Sequence, residues 1–218
     1  MTFRGFGERL IDFYEGLEAD NSKAYWTDHK AIYDEQVRGP MVALLAELAD
    51  EFGDGKVFRP YRDVRFSKDK TPYKNHCGGI VSGRRGLGGY YVQVSAEGLL
   101  VAAGYYDTNP DQVERFREAV ADDRRGCELQ RRLEALDREG FDIAGGQLKT
   151  RPRGYDANHP RIDLLRHKTL YGQRRWQPDD WLHTAETANV VRAAWRKLGP
   201  LADWLDDHVG ASAQPARR

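Results

Sequence analysis

Between Arg62 and His76 the chain reads Arg-Asp-Val-Arg-Phe-Ser-Lys-Asp-Lys-Thr-Pro-Tyr-Lys-Asn-His. Two arginines, three lysines, two aspartates and a histidine make it the densest block of chemical functions in the sequence. Arginine offers a planar fork of donors to a phosphate or carboxylate, and lysine a compact point charge. Arg62, Asp63, Arg65, Ser67, Lys68, Asp69, Lys70, Lys74 and His76 are therefore candidate residues for binding an anion. The same composition also describes a structural network, in which Asp63 and Asp69 neutralise their neighbours at little net gain in stability. Lysines along a strand edge would then serve to discourage sheet-to-sheet pairing. Both readings remain open at this level.

A second polar group lies in the loop Thr150 to His159, where Arg151, Arg153, Tyr155, Asp156 and His159 are broken by Pro152 and Gly154. Loops held by a rigid scaffold often carry function. The plainer alternative is that Asp156 or Asn158 caps a helix starting at Pro160. A third segment, Asp20-Asn21-Ser22-Lys23-Ala24-Tyr25-Trp26 with His29, Lys30 and Tyr33, carries aromatic residues that either line a pocket or pack in the core.

These three stretches together resemble the signatures of a family of conserved hypothetical proteins, "domain of unknown function 2461". The similarity rests on Arg62–His76, on the Asp20–Trp26 segment with His29-Lys30 and Tyr33, and on Leu148-Lys149 with Arg151-Pro152-Arg153-Gly154-Tyr155-Asp156 and His159-Pro160. It spans about Phe6 to Tyr171. Where the family usually has a doubled Asn and a Trp-Phe pair, this chain has Asp20-Asn21 and Tyr25-Trp26. The resemblance brings no activity with it.

Other chemistries find little support. His29, His76, His159, His167, His183 and His208 form no HExxH pair, and Cys77 and Cys127 form no CxxC, so no metal or cofactor is expected. Ser67 lacks the Gly-x-Ser-x-Gly elbow of a serine nucleophile. His76 and Cys77, as strand neighbours, point to opposite faces and are no dyad by adjacency. Asp63, Asp69, Asp156 and His159 are the titratable groups for acid–base work, but no reaction follows from them.

The elements that must position these groups follow from periodicity. Leu10, Phe13, Tyr14 and Leu17 mark a helix with one buried face. A second helix carries Trp26 and Tyr33, Gly39-Pro40 interrupts it, and Met41, Leu44, Leu45, Leu48 and Phe52 face the core from a third. The period then changes to two. Strands are expected at 57–66, 77–82, 90–95 and 99–106, with Gly83–Gly89 as a glycine-rich turn. In the first, Val64 and Phe66 share one face and Asp63 and Arg65 the other. Asn109-Pro110 opens a helix with Val113, Phe116 and Val120 inward, and a further helix with Leu129, Leu133 and Leu136 ends at Gly140. A short strand or hairpin at 141–149, a short helix at 160–166 and a strand at 168–176 come next. A long helix after Pro178, broken at Gly199-Pro200, closes the chain.

The expected fold is α+β, a central antiparallel β-meander packed against N-terminal and C-terminal helices. Residues 1–209 are read as one domain and 210–218 as a disordered tail. Lysine plus arginine and aspartate plus glutamate each number 34, so the chain is neutral. A general nucleic-acid binder shows a basic excess. No run approaches the ~18 apolar residues of a membrane helix, and no signal-peptide stretch opens the sequence. A cytoplasmic protein with two buried free thiols is expected. The leading functional expectation is a polar pocket for an anionic or phosphorylated small molecule, built from the Arg62–His76 and Arg151–His159 stretches. A non-catalytic interaction module and purely structural ion pairs are the alternatives. Enzymatic activity and oligomeric state are left open.

Overall fold

The computed structural model describes residues 2–65, 68–82 and 88–213. Helices α1 (Leu10–Ala19), α2 (Lys23–Ile32) and α3 (Gly39–Phe52) lead into strands β1 (Gly55–Val57), β2 (His76–Ser82), β3 (Gly89–Ser95) and β4 (Gly98–Tyr105). Helices α4 (Pro110–Ala121) and α5 (Asp123–Arg138), strand β5 (Asp142–Ala144), helix α6 (Ile162–Leu165), strand β6 (Leu170–Trp176) and helix α7 (Glu186–His208) complete the order. The strands form one antiparallel sheet in the order β1-β2-β3-β4-β6-β5. The fold is α+β, with the expected meander of four consecutive strands.

The chain divides into two compact units. The first comprises Met1–Val81, Tyr91–Val101 and Arg175–Ala193, the second Ser82–Tyr90, Ala102–Arg174 and Ala194–Arg218.

In the first unit, α1 buries Leu10, Phe13, Tyr14 and Leu17, the stripe its spacing predicts. Ser22 caps α2 by accepting the Tyr25 amide at 3.1 Å. The expected break at Gly39-Pro40 does not occur. Residues Tyr33–Arg38 are wound as a π-helix, and α3 follows directly with Pro40 in its first turn. Pro40 has no amide to offer the carbonyl of Gln36, four residues back. That carbonyl accepts the Gly7 amide at 2.9 Å instead, and Gln36 Oε1 accepts the Arg9 amide at 3.1 Å. The strand expected at 57–66 is also shorter, ending at Val57. Pro60 carries no ladder donor, and pairing resumes only at Tyr61 with Tyr73. Phe66 and Ser67 lie outside the described residues, as does most of the expected turn, 83–87.

In the second unit, Asn109 and Gln112 form a reciprocal capping box at the start of α4, as the Asn-Pro signal predicts. Phe116 and Val120 are buried, while Val113 is half-exposed. Gly140, at φ +78°, ends α5 as expected. Strand β5 pairs with β6 instead of folding back around Gly145-Gly146. Pro200 sits inside α7 without ending it. Cys77, in the first unit, is buried; Cys127, in the second, is exposed, against the expectation of two buried thiols. At the C-terminal end, Ser212 and Ala213 hydrogen-bond to Asp111 at 2.7 and 2.9 Å; residues 214–218 lie outside the described part. No helix among the described residues is long and apolar enough to cross a membrane.

Gly7 is a point where sequence and packing meet tightly. Its amide supplies the bond that Pro40 cannot, and a Cβ there would collide with the Gln36 side chain. Gly7→Ala should therefore cost about 1–3 kcal/mol, the usual penalty of overpacking, read as a lowered urea midpoint with an unchanged slope.

Candidate functional site

The tip of the β1–β2 hairpin holds most of the first polar signature, and its side chains are engaged mainly with one another. Arg62 is the hub. Its Nε donates to the Tyr73 carbonyl at 2.8 Å, and its terminal nitrogens reach Asp69 and Asn75. Asp69 also accepts the Thr71 amide and hydroxyl at 2.9 and 2.7 Å. These bonds, with Arg62 nearby, hold its carboxyl below the usual range. Arg65 forks onto Asp63 at 2.9 and 2.6 Å, which lowers that carboxyl to about 2. Lys70 donates to the Val64 carbonyl at 2.9 Å, and Lys68 is exposed.

The first segment of the resemblance grips this hairpin from below. The Asn21 side-chain amide pairs with the Tyr73 backbone twice, accepting its N–H at 3.0 Å and donating to its carbonyl at 3.1 Å. Trp26 stacks on the Tyr73 ring with centroids 4.4 Å apart and planes 8° from parallel. Trp26 and Tyr33 are core residues, as the packing alternative had it.

Lys74 and His76 stand apart from that network. Alternation along β2 turns Cys77, Gly79 and Val81 inward, where Gly79 lies against Leu45 of α3. His76, Gly78 and Ile80 take the opposite face, and the side chains of His76 and Ile80 are half-exposed there. Lys74 reaches over the Phe58 ring at 5.4 Å. Phe58 lies 6.3 Å from the Tyr91 ring. Tyr91 passes over Gly78, where a Cβ would come within 2.5 Å of its hydroxyl, and donates to Gln93 at 2.8 Å. Burial lowers the ammonium of Lys74, with Arg59 and Arg62 adding to the effect. Burial likewise lowers His76 to about 4, followed by Lys74, Arg62 and Arg175. No carboxylate acts on either group among these causes. Phe58, Tyr91, Gln93 and Arg175 were not singled out from sequence. The alternation of Tyr91 and Gln93 with the buried Val92 and Val94 is the signal that could have found those two; no such pattern marks Phe58 or Arg175.

The second signature lies in the second unit. Arg151 donates to the Tyr155 carbonyl at 2.6 Å, and Asp156 accepts the Asn158 amide at 2.7 Å, a local turn in place of a helix cap. His159 Nδ1 accepts the Arg161 amide at 3.1 Å, and Arg153 is exposed. The arginine that organises this region is Arg161, which its sequence context did not distinguish. Only 4% exposed, it donates to the carbonyls of Val120 and Ala121 at 2.7 and 3.1 Å and to Asp123 at 2.7 Å. It thereby joins the end of α4 to the start of α5. Among the described residues, no group of three or more His, Cys, Asp or Glu is placed to hold a metal ion.

An α+β protein emerges whose sheet carries, in its first unit, a cationic and aromatic outer face above a self-tied polar hairpin. The chain belongs to the conserved hypothetical protein family DUF2461, whose model matches residues 9–204. No curated protein and no solved structure matches the chain.

Two measurements separate structural from available groups. Arg62→Ala removes one of the two donors to the Tyr73 carbonyl together with the bonds to Asp69 and Asn75, and should cost about 1–3 kcal/mol in chemical denaturation. Arg65→Ala, which breaks an exposed local pair, should leave the transition in place; an equal loss in both variants would contradict this division. His76 supplies the second. A base held below its ordinary 6.5 is protonated more readily in the unfolded chain. Stability should accordingly fall as pH drops from about 6.5 toward 4, and His76→Gln should flatten that slope. A wild-type slope identical to that of the variant would remove the assignment.

Proposed function

We propose that the protein binds an anionic ligand, with a phosphate or sulfate-like group, at Lys74 and His76 on the outer sheet face of its first unit. The observation that carries this reading is an imbalance of charge. Two half-buried nitrogen bases are disfavoured in charged form first by burial and then by Arg59 and Arg62 at Lys74 and by Lys74, Arg62 and Arg175 at His76, with Cys77 opposing at Lys74 and no carboxylate among the groups that shift them. Like charges gathered at a partly desolvated surface disfavour their own protonation, and an anion reverses that cost. Arg62 contributes charge without surrendering its hairpin bonds. Arg175 is paired with Glu97 at 2.7 Å and acts from further out. Phe58 and Tyr91 add an apolar floor beside the cations.

At pH 7 His76 is neutral, the form that accepts a proton from its surroundings. A bound anion favours the protonated ring, so binding takes up a proton and tightens as pH falls. Calorimetric titration with sulfate tests this, because sulfate itself does not titrate near neutrality. The expected result is saturable binding that strengthens between pH 7 and 5, with a heat that depends on the buffer's ionisation enthalpy. Lys74→Gln should weaken it about tenfold or more, as the loss of one charge-assisted contact. Unsaturable heats, or equal affinity in the variant, would defeat the proposal.

A further inference from the structure

A cavity of about 690 Å³ lies wholly within the second unit, inside the span of roughly 300–1,000 Å³ common for small-molecule sites. Helix α4 forms one wall. Its stripe Gln112, Phe116, Ala119 and Val120 is buried in the core, and Val113 and Arg117, four residues apart, turn to the cavity. The opposite side carries Tyr106 and Tyr171, with ring centroids 5.5 Å apart and planes at 43°. Tyr106 is 80% exposed, so its ring is open to a ligand from solvent. Leu148, from the second signature, and Lys168 complete the lining.

Arg117 is the informative residue. Its Nε donates to the Leu165 carbonyl at 3.1 Å, which fixes the direction of the side chain. Its two terminal nitrogens have no partner among the described residues. Arg131 and Arg138 also bond a carbonyl through Nε but are exposed, whereas two less exposed arginines of the unit differ. Arg115 uses all three nitrogens, on Val209, Asp111 and Ala211, and Arg161 is likewise fully engaged. Arg117 is half-buried, and burial lowers its guanidinium despite the nearby Tyr155 of the second signature. A guanidinium fork aimed into a cavity and left without acceptors suits a planar or tetrahedral oxyanion. Lys168 adds a second cation against the single lining carboxylate, Asp107. Its own carbonyl accepts the Thr108 hydroxyl at 2.6 Å, which ties the two walls together.

We infer that this cavity is a second ligand site, for an aromatic anion whose ring lies against Tyr106 and Tyr171 and whose phosphate or carboxylate meets Arg117 and Lys168. The site is independent of the one on the first unit. Phenyl phosphate, benzoate and inorganic phosphate are the probes, titrated into the full chain by calorimetry. An aryl anion should bind saturably, and Arg117→Gln should weaken it about tenfold or more. Tyr106→Ala should reduce the aryl compound to the affinity of its ring-free counterpart, phosphate. Because Tyr106 is exposed, this variant tests the site even where Arg117→Gln perturbs folding, which circular dichroism and melting would reveal. The tighter of phenyl phosphate and benzoate identifies the anionic group. Lys74→Gln should leave these affinities unchanged, separating this site from the one on the sheet face. Absence of saturation with both aryl anions in the wild type overturns the inference. So does wild-type affinity in both Arg117→Gln and Tyr106→Ala.

Discussion

The alternation of side chains along β2 is the constraint on which the first unit turns. Once Cys77, Gly79 and Val81 are committed to the helices, the backbone leaves His76, Gly78 and Ile80 no choice of face. The glycines make this register hard to change. Gly79 admits Leu45 of α3 on one side, with 2.8 Å to the place a Cβ would occupy, and Gly78 admits the Tyr91 hydroxyl on the other. A slip of one residue would turn His76 toward the helices and Cys77 and Val81 away from them. Charge is thus delivered to the outer face by the same pattern that builds the core.

The polar signatures divide by how their donors are used. Arg62 and Arg161 each bind backbone carbonyls, at a hairpin tip where Asn21 shares the Tyr73 carbonyl and at a helix junction. Such arginines act as cross-links, and their charge is incidental to much of what they hold. Lys74 and Arg117 occupy similarly half-buried positions with fewer bonds, Lys74 over an aromatic ring and Arg117 on a single carbonyl. Abundance of charge in a motif therefore says little about where a ligand would bind. What matters is which cations the fold has left unneutralised after its own carbonyls and carboxylates are satisfied.

Two of the sequence segments that carry the resemblance acquire a physical connection in the same way. Asn21 copies a peptide group and pairs with both polar atoms of the Tyr73 backbone, while Trp26 covers the Tyr73 ring. The first segment is thus a clamp on the second.

Local chemistry alone determined much of the chain. The stripe of α1, the Asn109-Pro110 start of α4, the Gly140 stop of α5 and the two central strands were legible because each depends on residues within one or two turns of each other. Legibility ended where a distant partner replaced a local bond. Pro40 reads as a break until Gly7 supplies the donor that Gln36 lacks, and Arg62–Arg65 reads as strand until the side-chain bonds of Arg62 and Arg65 replace a ladder. Arg161 was invisible because burial is a property of the packed unit. Sequence could place Lys74 and His76 among the candidates by type. Only the tertiary structure decided that these two, unlike Arg62 and Asp69, have no salt-bridge partner among the described residues, because neutralisation depends on which groups folding brings within a few ångströms.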